Sequence, residues 1–496
     1  GDLSEDFWRI DQDALASIGA VASAIPMPLM HTVELNAGTL DSDAGPQLQA
    51  SWTWAPSVMT EAQIERLSRL WFEALTGICA HVQHGGGGLT PSDLLPAKLT
   101  QPQIDELNQQ YQIADVLPLT PVQQGLLFHS TFARGTGDDV YAVQLDITVT
   151  GVLDQHRLRD AVHTVVARHP NLAARFCDQF GEPVQVIAAE PQIAWRYLDL
   201  RGDDRNPRDE VEQLSAVERS AVCDLVSRPT FRAALIRTAG NEHRFVLTFH
   251  HIVIDGWSLP ILLQEIFTGY FGQRLPAAIP YRNFVSWLAE QDREAAHAAW
   301  QEVLDGFEAP TLVAPLAPPG PRRVDSYQLS AETTRALGEL ARSCHTTIST
   351  VLQAGWAQVL MMATGQQDVA FGTAVSGRPA ELAGADSMVG LLINTVPIRA
   401  NTTAASTVAD LLAQLQRDHN NTLEYEYVAL TEIHHLTGHD RLFDTLFLYE
   451  SYPVDTSAFM GVHELTITDF TSREYNHYPL SVMAIPGQEL GLRVEF

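Results

Sequence analysis

The stretch Phe249–Ser258 reads Phe-His-His-Ile-Val-Ile-Asp-Gly-Trp-Ser and lies where two sequence patterns meet. Residues 245–249 are β-branched, aromatic or otherwise apolar, which is typical of a buried strand. After the stretch, apolar residues recur at helical spacing from Leu259 to Tyr270, and Ser258 is a suitable N-cap. The sequence therefore predicts two histidines at the end of a strand, followed by an Asp-Gly turn and a helix. Junctions of this kind often carry functional residues.

The pattern His-His-x-x-x-Asp-Gly, from His250 to Gly256, resembles the active-site motif of the condensation domains of non-ribosomal peptide synthetases. The wider superfamily includes chloramphenicol acetyltransferase-like acyltransferases. Six further segments resemble other motifs of the family and occur in the family's order: Val116–His129, Arg168–Phe176, Tyr281–Leu288, Met388–Arg399, Leu442–Pro453 and Tyr478–Val482. One departure is Ser451, where the family usually has Asn. The resemblance extends over residues 113–496.

The resemblance implies an α/β (α+β) fold of two chloramphenicol acetyltransferase-like lobes, arranged in a V with a tunnel between them. We expect the N-terminal lobe over residues 113–288 and the C-terminal lobe over residues 289–496. Residues 84–112 are Gly-rich and then polar, which predicts a linker. Residues 1–83 resemble the C-terminal part of an epimerization domain, on the strength of strand order and of Val33–Ala37. A helical docking appendage is the alternative interpretation of this block.

Within residues 1–83 the sequence predicts two strands, Met27–Gly38 and Gln47–Trp54, and a helix capped by Thr60. Members of the family continue past a strand equivalent to Leu490–Phe496 into a closing helix. The sequence leaves open whether the chain continues there or whether residues 48–83, a strand and helix of the same kind, supply that helix in cis or from a neighbouring molecule.

Composition excludes several classes of function. The 496 residues include 31 basic and 60 acidic side chains, a formal charge of -29, which argues against nucleic acid and an anionic membrane surface as partners. No apolar run is long enough to span a bilayer, and the N-terminal residues do not resemble a signal peptide. The four cysteines have neither metal-ligand spacing nor a disulfide framework. We therefore expect a cytoplasmic protein.

A metal site at His250, His251 and Asp255 is the first alternative to weigh, because three ligand-type residues are crowded together. Neighbouring residues on a strand point to opposite faces, so both histidines cannot easily face one ion. No cysteine or second His-rich segment offers a completing ligand. We expect no metal.

His251 is the residue for which the sequence favours a chemical role. Amide synthesis from a thioester needs no enzyme nucleophile, but it needs a neutral amine, and an α-ammonium with a pKa of about 8 is only about one-tenth free base at neutral pH. His251 could accept a proton, or could orient the amine and stabilise charge in the tetrahedral intermediate. The sequence does not decide between these roles. His250 belongs to the same catalytic motif, but we expect its ring to face inward and to be hydrogen-bonded to its surroundings.

Asp255 is expected to hold the turn, because a buried carboxylate needs a cation or several donors. The resemblance implies an arginine partner, and Arg378 in Ser-Gly-Arg-Pro is the first candidate, with Arg175 the second. It also implies that the backbone N–H of Gly256 lies beside the thioester, where a glycine permits close approach.

Three further residues are candidates for the tunnel or substrate-facing surface: Trp257, Ser258 and Asn394. For Trp257 a place in the core is an equally ordinary interpretation. Asn394 could instead be a buried amide that ties two strands together.

The resemblance implies a function in amide-bond formation. An upstream aminoacyl or peptidyl thioester would pass to the amine of a downstream aminoacyl thioester, both carried on 4'-phosphopantetheine arms of carrier proteins, with no cofactor bound in the domain itself. Neighbouring epimerization and adenylation domains of the synthetase are the other expected partners.

The segment that follows Gly256 separates this function from related ones. Trp257-Ser258 is typical of condensation rather than epimerization domains, and the paired histidines exclude a cyclization domain. Val116–His129 and the block at residues 1–83 together favour a donor of D configuration. A catalytically silent recruitment module and an epimerase of the same fold remain the alternatives.

Overall fold

The computed structural model describes residues 31–42, 45–83, 87–133, 139–201, 206–314, 322–450 and 465–496. The chain forms two compact units, Gly1–Leu89 and Thr90–Phe496. Residues 84–86, which include the first two of the four glycines at 85–88, lie outside the described residues.

The first unit contains an antiparallel hairpin and one long helix. Strand β1 (Val33–Ser42) pairs with β2 (Gly45–Trp54), and α1 (Glu61–Gln83) follows. The predicted second strand and the helix after Thr60 are confirmed. The first predicted strand begins later than expected, at Val33, and its first residues, 27–30, lie outside the described part of the chain.

The second unit contains fourteen of the described strands and eleven of the described α-helices. The strands are β3 (Ile113–Pro118), β4 (Ala142–Gly151), β5 (Arg175–Cys177), β6 (Val184–Ala188), β7 (Ala194–Asp199), β8 (Phe231–Arg237), β9 (Glu242–His250), β10 (Val324–Gln328), β11 (Asp368–Val375), β12 (Asn394–Asn401), β13 (Thr445–Tyr449), β14 (Leu465–Arg473), β15 (Leu480–Ile485) and β16 (Gly491–Glu495). The helices are α2 (Gln101–Tyr111), α3 (Pro121–Ala133), α4 (Gln155–Arg168), α5 (Pro207–Val222), α6 (Ser258–Tyr270), α7 (Tyr281–Ala289), α8 (Arg293–Leu304), α9 (Ala331–Ser343), α10 (Ile348–Thr364), α11 (Val408–Thr422) and α12 (Leu430–Leu436).

Residues 90–112 are not a flexible linker, which corrects the boundaries expected from the sequence. Leu94, Ile104 and Leu107 are at most 1% exposed, so this segment contributes to the core of the second unit. Arg282 on α7 donates to the carbonyl oxygens of Asp93 and Leu95. The polar residues of α2 that suggested a connector lie on its exposed face, and its apolar residues are buried.

Two large sheets organise the second unit. The first has the order β14-β4-β9-β8-β7, and the second has the order β10-β16-β15-β13-β11-β12. A smaller sheet has the order β3-β6-β5. The architecture is therefore mixed α/β with antiparallel and parallel pairs in both large sheets.

Strand β14 corrects the simple division of the chain at residue 288. It lies late in the sequence, yet it pairs antiparallel with β4 at the edge of the first sheet. The chain then returns to the second sheet through β15. The residues between β14 and β15 consequently run from one sheet to the other.

The motif strand β9 lies in the interior of the first sheet, between β4 and β8. Phe245, Val246, Leu247 and Phe249 are at most 1% exposed, so both faces of the strand are covered, as the unbroken apolar run predicted. After His250 the chain makes one short 3-10 turn, His251–Val253, and then enters α6. This rigid strand fixes the positions of the motif side chains.

Candidate active site

The side chain of His250 is fully buried at the end of β9 in the first sheet, as expected. Its Nδ1 accepts a hydrogen bond of 3.1 Å from the backbone N–H of Ile252, so the ring proton is on Nε2. Nε2 lies 2.9 Å from Ser130 Oγ and 3.2 Å from Asp139 Oδ2. His250 was grouped with the catalytic candidates, and its expected inward orientation is observed, with both ring nitrogens hydrogen-bonded inside the core.

Asp139 is the buried anion of this cluster and was not singled out from the sequence. Ser130 Oγ donates to its Oδ2 at 2.5 Å, and the backbone N–H of Tyr141 donates to Oδ1 at 3.0 Å. Burial alone would raise the pKa of Asp139, but the hydrogen bonds and the charge of its neighbours outweigh burial and bring the pKa to about 2. The carboxylate therefore stays ionised and holds His250 in one orientation.

His251 faces a different environment from its neighbour. Its backbone N–H donates to the carbonyl of Tyr141 at 2.8 Å, which fixes the start of the 3-10 turn. Its side chain is 15% exposed, and Nε2 lies 3.2 Å from Oε1 of Glu474. Nδ1 is shielded from solvent and has no hydrogen-bond partner among the described residues.

The environments of His251 and Glu474 shift their pKa values in opposite directions. Burial lowers the pKa of His251, but Glu474 outweighs burial, so the net shift is upward. Burial raises the pKa of Glu474, but His251 outweighs it, so the net shift is downward. Both shifts favour an imidazolium beside a carboxylate.

Glu474 is the functional candidate that sequence reasoning missed. It follows β14 directly, so the strand that crosses into the first sheet delivers it to His251. The available signal was its position just before Tyr478–Val482, the segment that resembles the seventh family motif. No local periodicity could have paired it with His251, because the two residues meet only through the strand crossover.

Asp255 is fully buried and has a complete set of donors. Its Oδ1 accepts hydrogen bonds of 2.8 Å from both the backbone N–H and Oγ of Ser258, and Oδ2 accepts one of 2.9 Å from the N–H of Leu392. Arg378 Nη2 lies 3.2 Å from Oδ1, which is the expected arginine pairing. The carboxylate thus accepts the first N–H of α6, and Ser258, a suitable N-cap by its sequence, is instead the first residue of the helix.

Arg175, the second candidate partner, is excluded by its position. Its Nη1 donates to the carbonyl oxygens of Val226 at 3.3 Å and Ser227 at 2.6 Å, and its guanidinium lies over the ring of Tyr111. Arg378 Nη1 instead donates to the carbonyls of Ala385 and Met388, and its Nη2 is directed at Asp255.

Ser258 is fully buried and does not face a substrate surface, which corrects that expectation. Its Oγ donates to Asp255 and accepts from the N–H of Gly390 at 3.1 Å. The backbone N–H of Asp255 also donates to the carbonyl of Gly390 at 3.0 Å. A side chain at Gly390 would collide with the Tyr281 ring, so glycine permits this close approach.

Asn394 is also a buried tie rather than a site-facing residue. It is 5% exposed, and its Nδ2 donates to the carbonyls of Glu426 and Val428, both at 2.7 Å. It joins β12 to the segment before α12, whereas the sequence alternative was a tie between two strands. Trp257 and Gly256 are half-buried at the start of α6, and the Arg378 guanidinium lies 5.7 Å from the centroid of the Trp257 ring.

The described residues contain no group of three or more His, Cys, Asp or Glu side chains that could hold a metal ion. In the same part of the chain no helix has the length and apolar character needed to cross a bilayer.

A family-level comparison decides how this geometry is classified. The sequence model of the family described as "Condensation domain" matches residues 113–496. The chain belongs to the condensation-domain family. Condensation domains are acyltransferases that form peptide bonds.

Curated relatives of this condensation domain are large synthetases. It is 35% identical over 473 residues to a component of the linear gramicidin synthase of Brevibacillus parabrevis, covering 91% of this chain and 6% of the relative. It is 32% identical over 515 residues to the chondramide synthase cmdD of Chondromyces crocatus, covering 92% of this chain and 13% of the relative. The chain thus spans less than a fifth of the length of these two relatives.

Solved structures support the same fold for the condensation domain. The condensation domain of the Monacolin K polyketide synthase MokA matches with a TM-score of 0.65 at 17% identity, covering 77% of this chain and 92% of that one. The first condensation domain of the calcium-dependent antibiotic synthetase, in complex with a substrate analogue, matches with a TM-score of 0.60 at 23% identity, covering 77% and 90%. The expected α/β fold is confirmed.

Proposed function

We propose that this condensation domain joins an upstream aminoacyl or peptidyl thioester to the amine of a downstream aminoacyl thioester, with both substrates carried on phosphopantetheine arms of carrier proteins. The observation that carries the proposal is the contrast between the motif residues. His250 and Asp255 have their polar atoms engaged within the fold, whereas His251 keeps a partly exposed ring beside an ionised carboxylate. His251 is therefore the motif side chain available for chemistry.

The reaction needs no nucleophile from the protein. The acceptor nitrogen attacks the thioester carbonyl, the C–N bond forms, and the C–S bond breaks to release a thiol. The raised pKa of His251 favours a ring that holds a proton during the addition, so we assign it the orientation of the amine, charge stabilisation in the tetrahedral intermediate and proton delivery to the departing sulfur. The half-buried Gly256 is our candidate for the backbone next to the thioester.

We further propose that the donor has D configuration at the reacting residue. Residues 1–83 resemble the end of an epimerization domain, and their described part, a hairpin followed by a long helix, is consistent with that interpretation. An epimerization domain would set the stereocentre before transfer, so the following site should select the D form. Neighbouring carrier, epimerization and adenylation domains are then the partners, and we place the reaction in the cytoplasm.

The test is an amide-formation assay in which the upstream carrier is loaded with either the D or the L aminoacyl form and the downstream carrier with an aminoacyl acceptor. We expect amide from the D form at a rate about 10²-fold higher than from the L form, since a misplacement of about 1 Å at the reacting carbon can cost this factor. Equal rates, or faster transfer from the L form, would remove the stereochemical proposal and leave condensation standing.

Two alternative functions give different outcomes in the same assay. A silent recruitment module would form no amide from either donor. An epimerase is the second candidate, because His251 and Glu474 supply two titratable groups at one place. It would incorporate solvent deuterium at Cα of the carrier-bound residue without forming an amide.

A further inference from the structure

Among the described residues, Asp139 and Glu474 lie beside the two histidines of the motif, and Asp255 is the carboxylate of the motif itself. Asp139 and Asp255 have side chains that are 4% and 0% exposed, and protein donors surround both. The side chain of Glu474 is 30% exposed. Of the three, Glu474 therefore has the side chain that is most exposed to solvent.

The segment that carries Glu474 is anchored on the side of the second sheet. Arg493 on β16 donates to the backbone carbonyl of Glu474 at 3.4 Å. Asn476 accepts a hydrogen bond of 2.9 Å from the N–H of Tyr478, and it donates one of 2.9 Å to Ser481 Oγ. These contacts hold the backbone around Glu474 without occupying its carboxylate.

The same segment is anchored on the side of the first sheet by His477. Its Nδ1 is hydrogen-bonded to the Tyr141 hydroxyl, and its ring centroid lies 4.1 Å from that of His129. The backbone carbonyl of Tyr141 in turn accepts from His251. The distance between Glu474 and His251 is thus set by both sheets.

We propose that Glu474 binds the α-ammonium of the acceptor and holds its nitrogen beside His251. This inference rests on the proposed function and assigns its acceptor subsite. An ammonium carries three donors and no acceptor, so an open carboxylate is its natural partner. The separation of 3.2 Å between Glu474 Oε1 and His251 Nε2 lets one nitrogen contact both groups.

Attack requires the bound ammonium to lose one proton. The carboxylate of Glu474 favours the charged ammonium, whereas the imidazolium of His251 at the same carboxylate repels it, and this repulsion offsets the attraction and lets the proton pass to solvent. The neutral amine then adds to the thioester carbonyl. The second N–H proton leaves through His251 to the sulfur, so that one ammonium and one thioester give one amide, one thiol and one proton.

The first experiment measures binding and does not depend on turnover. Alanyl-pantetheine amide carries the α-ammonium, and propionyl-pantetheine amide is the same molecule without it. Calorimetric titration of the unaltered protein should show tighter binding of the alanyl compound by about 10- to 100-fold, the range of one charge-assisted hydrogen bond. Glu474→Gln should remove that preference, and Glu474→Asp should retain part of it.

The matched control is Glu489→Gln, which makes the same change of charge at an exposed position between β15 and β16. It should keep the full preference for the alanyl compound. Equal binding of the two compounds by the unaltered protein, absence of alanyl binding, or a preference that survives in Glu474→Gln would overturn the proposal. Clear preference in a protein that forms no amide would instead remove the proposed function and leave the cation site.

The second experiment measures amide formation with loaded carriers. Its pH dependence distinguishes loss of the contact with the acceptor ammonium from a general disturbance of the structure. Glu474→Gln should raise the KM for the acceptor about 10-fold or more near pH 7 and leave the KM for the donor unchanged. This increase in the KM for the acceptor should become smaller as the pH rises above about 8, because the acceptor amine is then neutral without the help of the protein. An increase that is constant between pH 7 and pH 9, or that falls equally on the KM for the donor, would contradict the assignment.

Discussion

His250 and His251 are adjacent in the chain and have opposite surroundings. The turn that begins at His251 separates them, so one ring fills a polar pocket beside Asp139 and the other lies beside Glu474. The sequence predicted this divergence from strand alternation, whereas in the structure the strand ends at His250 and the turn redirects His251. The sequence pattern could not predict which carboxylate lies beside each ring, because Asp139 and Glu474 come from distant parts of the chain.

We predict that His250→Ala destabilises the fold. The substitution leaves Asp139, Ser130 and the N–H of Ile252 without their buried partner. A buried group left without its hydrogen bond typically costs about 1–3 kcal/mol, so the total loss in free energy of unfolding should reach at least that range. Chemical denaturation measures it, and a variant as stable as the unaltered protein would show that His250 is not a structural residue.

The pKa of His251 depends on the charge of Glu474. Glu474 raises that pKa against the opposing effect of burial, so Glu474→Gln should lower it. Titration of 13C-labelled histidines by NMR measures the shift, with the His251 signal identified by its loss in His251→Asn. An unchanged pKa in Glu474→Gln would show that the two side chains do not interact in solution.

The shifted pKa values of His251 and Glu474 make the stability of the folded protein depend on pH. The raised pKa of His251 stabilises the folded protein at pH values below the ordinary pKa of histidine. The lowered pKa of Glu474 stabilises it at pH values above the ordinary pKa of glutamate. The stability advantage of the unaltered protein over Glu474→Gln should thus be largest between about pH 4.5 and 6.5. It should fade as the pH rises through the raised pKa of His251.

At the scale of elements, the turn before α6 is locked onto the segment 388–392. Asp255 accepts from Leu392, Ser258 exchanges hydrogen bonds with Gly390, and Arg378 contacts Asp255. The family resemblance implied an arginine partner for Asp255, and the contact with Arg378 is present. The sequence assigned Ser258 and Asn394 to the substrate surface, because a polar residue in a motif gives no sign of whether its partner is a ligand or a backbone group.

We predict that Asp255→Ala loses about 3–5 kcal/mol of stability, the usual cost of removing one partner of a buried ion pair. Arg378 would be left nearly buried without its anion, and the start of α6 would lose its cap. Thermal and chemical unfolding measure the change. A variant that unfolds like the unaltered protein but forms no amide would show that Asp255 acts in the chemistry.

At the scale of the whole molecule, a strand exchange links the two large sheets of the second unit, because β14 belongs to the first sheet and β13 and β15 belong to the second. Strand β14 leaves the second half of the chain to pair with β4, and the return to β15 carries Glu474 past His251. Motif order in the sequence predicted the fold class and the motif strand. It could not predict the exchange, since an edge strand with alternating exposure has the same pattern in either sheet.

The boundary of the second unit gives a prediction of its own. A protein of residues 90–496 keeps Leu94, Ile104 and Leu107, whereas one of residues 113–496 lacks them and exposes the surfaces that they cover. Each fully buried apolar side chain contributes about 1.5–3 kcal/mol, so the shorter protein should be less stable by several kcal/mol. Comparison of the two unfolding curves measures the difference, and equal stability would restore the linker interpretation of residues 90–112.

The central claim is that His251 performs the chemistry of amide formation in this condensation domain. The most direct measurement is the single-turnover rate of amide formation from two loaded carriers, compared between the unaltered protein and a folded His251→Ala variant. We predict a loss of about 10²–10⁴-fold, the usual contribution of a group that manages a proton in the transition state. A His251→Ala variant that forms amide at nearly the unaltered rate would contradict the account.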